Sequence, residues 1–192
     1  MNFYFLLFDK FETLDLFGPV EIFGRIPDAR LNYISMKGGI ITSAQGTQIL
    51  TQKVAKLSDD AVLVVPGGRG TRPLVKDADF LAGLRDLVDS AANVLSICTG
   101  SALLAAAGVL VNVKATSNKY AFEWVTSTGD VVWIRKARWV HDGRFYTSSG
   151  VSAGIDMALG FVADHYGLDV AKANAQKAGY IWNEDSEVDP FT

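Results

Sequence analysis

The chain has 192 residues, 49% of them apolar, which is enough for one globular domain over residues 1–192 with a sizeable core. A formal net charge of −3 gives no electrostatic ground for a nucleic-acid or acidic-membrane partner. One cysteine excludes an internal disulfide, and there is no basic leader, no cleavage site and no apolar run near the ~20 residues a bilayer requires, so the sequence reads as soluble and cytoplasmic.

Asn2 to Phe8 is continuously apolar and aromatic, which predicts a buried first strand. A loop over Asp9 to Thr13 leads into a helix running to Phe23. Its Gly18-Pro19 places the start near Asp15, because proline is tolerated in a first turn. Leu31 to Met36 and Ile40 to Ser43 read as short strands about a Gly38-Gly39 turn. Gln45 to Asp60 is mixed and polar and predicts no element. Ala61 to Val65 is the clearest central strand. It ends in Pro66-Gly67-Gly68-Arg69-Gly70, whose glycines let backbone N–H groups face a ligand. The loop lacks the spacing and the following Lys-Ser/Thr of a P-loop. Asp79 to Ala92 carries Phe80, Leu81, Leu84, Leu87 and Val88 at helical spacing.

Asn93 to Ile97 is a second apolar strand, and it stops at Cys98-Thr99-Gly100-Ser101 before an alanine- and leucine-rich helix closed by Gly108. A lone cysteine after an apolar run is ordinarily an inert buried thiol. The order strand, Cys, Thr, Gly, small residue, helix instead resembles the sharp elbow that presents a nucleophile. A thiol there lies at a helix N-terminus, where unpaired N–H groups and the macrodipole favour the thiolate and so lower its pKa. Beyond an irregular segment to Asn118, Lys119 to Ser127 is a candidate helix, and Val131 to Ile134 and Arg138 to Val140 are candidate strands. Asp142-Gly143 marks a hairpin with Arg144 to Ser148. Gly150 to Tyr166 and Asp169 to Trp182 read as helices, followed by an acidic tail.

Strands alternating with helices define an α/β protein: a mostly parallel sheet with helices on both faces and an antiparallel hairpin extension. In such sheets ligands bind beyond the carboxyl ends of the strands. That edge gathers the loop leading to Asp15, the Gly67-Gly68 loop and Cys98. Asp15, otherwise a helix cap, then becomes a candidate proton donor to the sulfur. The amides of Gly68 and Thr99 become candidate donors to a developing negative charge. Two charged groups side by side raise each other's pKa, so the pair works if Asp15 keeps its proton. His141, beside the hairpin turn, and His165, near a helix end, read as surface or structural residues rather than members of a triad. No metal-ligand spacing is present.

Four segments in this order resemble the ThiJ/PfpI family of the glutamine-amidotransferase-like superfamily: Leu14 to Glu21, Val65 to Gly68, Ile97 to Ser101 and Gly150 to Asp156. The resemblance implies a flavodoxin-like sandwich, a homodimer, a small-molecule substrate and neither cofactor nor metal. Within the family, Asp15 with Gly18-Pro19 and Cys98-Thr99-Gly100 is most similar to the bacterial isonitrile hydratases. That implies protonation of an isonitrile by Asp15, attack by Cys98 and positioning of substrate or water by Thr99. It also implies an anion hole from the amides of Gly68 and Thr99. The chain departs from that group at Asn118-Lys119, where a His-Trp pair is usual. Two other readings use the same thiol: a sensor whose cysteine is oxidised, and an enzyme acting on reactive aldehydes.

Overall fold

The computed structural model describes residues 1–53 and 56–192. Positions 54 and 55 fall in the stretch over 45–60, where no element is predicted, and lie outside the described residues. The first half of the chain forms β1 (Asn2–Leu6), α1 (Thr13–Phe23), β2 (Arg30–Ser35), β3 (Gly39–Thr42), β4 (Gln48–Lys53), β5 (Ala61–Val65), α2 (Thr71–Leu74) and α3 (Ala78–Ser90). Next come β6 (Asn93–Ile97), α4 (Gly100–Ala106), β7 (Lys114–Ala115), α5 (Phe122–Thr126) and β8 (Val132–Trp133). The chain closes with β9 (Trp139–Asp142), β10 (Phe145–Ser148), α6 (Ala153–Tyr166) and α7 (Leu168–Ala178).

Eight strands form one sheet in the order β3-β4-β2-β1-β5-β6-β10-β9, and β7 and β8 form a separate pair. The interior of the large sheet is parallel, from β4 through β10, while β3 and β9 pair antiparallel at its two edges. This is the α/β sandwich that the alternation of elements predicts. β5 is buried at every residue, which is why its sequence shows no polar alternation. Among the described residues, no helix is long and apolar enough to cross a membrane.

Three local expectations need correction. The glycine pair at 38–39 does not close a hairpin between β2 and β3. The hairpin is β3–β4, closed by Ser43 N–H donating to the Thr47 carbonyl at 2.8 Å, and β4 inserts beside β2. α1 begins at Thr13, so Pro19 lies inside it rather than in its first turn. Having no N–H, Pro19 leaves the Asp15 carbonyl without its helical donor. The segment before Asn118 is not wholly irregular, since Lys114–Ala115 pairs with Val132–Trp133.

The core fixes the elements that carry the candidate site. Phe3 of β1 stacks on Phe23 of α1 with centroids 4.2 Å apart, and Phe161 of α6 meets both edge-on at 6.1 and 5.8 Å. Such pairs contribute about 0.5–1.5 kcal/mol each beyond the area they bury. Helix α1, which carries Asp15, is thereby held against the sheet and α6.

Candidate active site

Only Cys98 and Thr99 separate β6 from α4, and so short a connection forces the chain through a tight bend. Cys98 takes φ +56°, the left-handed region. A non-glycine residue persists there only when its surroundings over-determine it, at a cost of about 1–3 kcal/mol. The restraints are visible. Cys98 N–H donates to the Ser148 carbonyl at 3.0 Å. The Cys98 carbonyl accepts from Ser117 Oγ at 2.9 Å and Ser101 Oγ at 3.3 Å. Gly150, at φ +61°, closes the back of the bend, where an added Cβ would lie 2.4 Å from Cys98 Cβ. Any other residue at 150 would push the end of β6 aside.

Asp15 reaches this bend from the first turn of α1. It is fully buried, and its Oδ2 accepts from Gly67 N–H at 2.9 Å. Its Oδ1 is buried without a hydrogen-bond partner. Burial holds the Asp15 carboxyl well above the usual carboxylate range. Gly67 N–H opposes this, Glu12 adds to it, and the neighbouring Cys98 thiol opposes it weakly. The thiol is also pushed well up, first by burial and then by the Asp15 carboxylate, against the backbone N–H and hydroxyl of Thr99. The helix-terminus argument, which lowers a thiol pKa, is therefore overturned. Cys98 is 7% exposed and α4 is only 7 residues long, so desolvation outweighs the dipole. The two groups titrate as one coupled pair, and a proton held by Asp15 removes the charge that most opposes a thiolate.

The third part is the loop after β5. Gly68, at φ +115°, passes so close to α1's approach that a Cβ would lie 2.4 Å from Glu12 N. Gly68 N–H donates to Thr99 Oγ1 at 3.0 Å. Thr71 Oγ1 lies 2.8 Å from the Gly68 carbonyl and 3.2 Å from Thr99 Oγ1. Thr99 is thus fixed from two sides, and the Gly68 amide is engaged by its hydroxyl. Beside this loop a cleft of about 950 Å³ runs between residues 42–46 and 69–73. Its wall includes Glu12, the carboxylate that acts on both members of the pair, but not Cys98 itself.

The structure brings Asp15, Gly68, Cys98 and Thr99 together. His141 instead pairs with Asp164 at 3.2 Å and stacks on Tyr146, while His165 stacks on Phe161. Asn118 Nδ2 donates to the Ser149 carbonyl at 3.5 Å, and Lys119 Nζ donates to the Ala137 carbonyl at 2.6 Å and to Thr116 Oγ1 at 2.8 Å. Half-burial brings that lysine down to about 8. Thr71 and Ser117 were not singled out from the sequence, and Gly150 entered only as the first residue of a family-like segment, with no role of its own.

A left-handed cysteine between a parallel strand and a helix, faced by a buried carboxyl from α1, defines an α/β protein with a sharp strand-to-helix elbow. Residues 1–164 match the DJ-1/PfpI family, and the chain belongs to that family. It is 35% identical to an isonitrile hydratase from Pseudomonas putida over 172 residues, covering 88% of this chain and 73% of the relative. Among solved structures, it resembles a ThiJ/PfpI family protein from Pseudomonas syringae with a TM-score of 0.82 and 29% identity, covering 95% of this chain and 76% of that one. An AraC family transcriptional regulator from Pseudomonas putida shares the fold at a TM-score of 0.77 and 17% identity, covering 92% and 98%.

Proposed function

We propose that the protein hydrates isonitriles to N-substituted formamides through a covalent bond to Cys98. The observation that carries this reading is the wholly buried Asp15 carboxyl, favouring its protonated form, coupled to the thiol of an elbow cysteine. The similarity to an isonitrile hydratase supports it. An isonitrile carbon is a poor electrophile until protonated, so the reaction requires an acid and a nucleophile that share one proton.

The reacting form carries the pair's proton on Asp15 and leaves Cys98 a thiolate, and loss of the Asp15 charge offsets part of what holds the thiol up. Asp15 protonates the terminal carbon, the sulfur bonds to that carbon, and a neutral thioimidate and an Asp15 carboxylate result. Water then adds to the same carbon. One water proton returns to Asp15 and the other reaches nitrogen, the carbon–sulfur bond breaks, and formamide and thiolate are released. Thr99, held by Gly68 N–H and Thr71, orients substrate or water. Its own amide, with that of Gly68 once released from the Thr99 hydroxyl, takes up negative charge during the addition. The step needs neither metal nor cofactor.

The test is incubation with a simple alkyl isonitrile and detection of the matching formamide, with Cys98→Ala and Asp15→Ala as controls. Formamide from the native protein alone supports the reading; its absence removes it.

A further inference from the structure

The nucleophile strand rests on residues 148–150: Ser148 accepts the Cys98 N–H at 3.0 Å and Gly150 packs against its Cβ. Between them, fully buried Ser149 donates its N–H to the Arg138 carbonyl at 2.9 Å. Its Oγ hydrogen-bonds Asp189 Oδ2, from the chain's last segment. Asp189 is only 2% exposed. Its Oδ1 accepts from Arg138 Nη1 at 3.5 Å and from Phe191 N–H at 3.1 Å, and its own N–H donates to the Lys136 carbonyl at 2.7 Å. Arg138 is in turn locked by Asp156 in the first turn of α6 at 2.6 Å. A carboxylate buried this deeply and paired this fully is expensive to build. It lies one residue removed from each of the two contacts that hold the elbow.

We propose that Asp189, acting through Ser149, is a positioning residue for the Cys98 elbow. By fixing Ser149 it holds the Ser148 carbonyl and Gly150 against Cys98, and so keeps the sulfur beside Asp15 and Thr99. The inference rests on the reading of Cys98 as the nucleophile, but not on the identity of the substrate.

The test compares full-length Asp189→Ala, Asp189→Asn, Ser149→Ala and the double alanine variant. Alkylation of Cys98 by iodoacetamide is followed across pH, alongside isonitrile turnover and thermal melts. Each single alanine variant is expected to speed iodoacetamide alkylation of the 7%-exposed Cys98 by loosening its elbow, while turnover falls about tenfold, in kcat rather than KM. The double variant is expected to be no slower than either single one, because both break the same link. Exposure of the relaxed thiol and loss of the Asp189 charge would both move the alkylation midpoint to lower pH, so Asp189→Asn, which removes the charge alone, separates geometry from electrostatics. Asp189→Asn, whose amide oxygen still accepts from Ser149, should restore the rate. Folded alanine variants that alkylate and turn over like the native protein, an Asp189→Asn variant as slow in turnover as Asp189→Ala, or losses that multiply in the double variant would overturn the proposal. Should Asp189→Ala fail to fold, Ser149→Ala decides, since it leaves Asp189 paired with Arg138. If the native protein makes no formamide, the alkylation comparison still stands.

Discussion

Asp15→Asn separates the chemistry of the pair from its effect on stability. Asp15 is fully buried, one oxygen has Gly67 N–H at 2.9 Å, and the other has no hydrogen-bond partner. Because its folded pKa is raised above the unfolded value of 3.8, its contribution to stability is complete below that pH. The contribution is lost as pH rises through the folded pKa. Asparagine keeps an acceptor for Gly67 and never ionises. At pH 8 the variant should therefore be more stable than the native protein, by about 1.4 kcal/mol for each pH unit by which burial raises the carboxyl above its unfolded value. In a domain of this size that is a rise of about 2–4 °C in melting temperature per kcal/mol. At pH 4 the difference should shrink. The assay is urea unfolding at both pH values, with isonitrile turnover on the same samples. A variant no more stable than the native protein at pH 8, or one that still makes formamide, would refute the reasoning.

Gly150→Ala would add a Cβ 2.4 Å from Cys98 Cβ at φ +61°. Overpacking and backbone strain together predict a loss of about 2–6 kcal/mol in urea unfolding, along with loss of Cys98 alkylation. For the thiol, the folded pKa lies above the ordinary 9.0, so its contribution is present below that pH and lost as pH climbs through the folded value. Denaturation midpoints measured from pH 8 to 11 should thus fall more steeply for the native protein than for Cys98→Ala.

The parts of the site were legible where a local signal coincided with a rule about sheets. Cys98 announced itself by the small residues after an apolar strand, and Asp15 by its place at the carboxyl edge of a parallel sheet. What depended on distant partners was not legible. The pairing of β4 beside β2 overrode the turn signal of Gly38-Gly39, because a glycine pair reports a bend but not which strand follows it in space. Thr71, Ser117 and Asp189 are ordinary polar residues in the sequence. Their roles arise only when the fold brings them to Thr99, Cys98 and Ser149. The helix-terminus argument for the thiol failed for a related reason. Dipole effects can be read from chain order, whereas the burial that outweighs them here is a property of the assembled core.

The most direct measurement is intact-protein mass spectrometry of samples quenched during exposure to an alkyl isonitrile, with peptide mapping. Native protein should gain the mass of one isonitrile on the peptide carrying Cys98, and Asp15→Asn should show little or none. Formamide produced without that adduct, and undiminished in Cys98→Ala, would contradict a covalent role for the elbow cysteine.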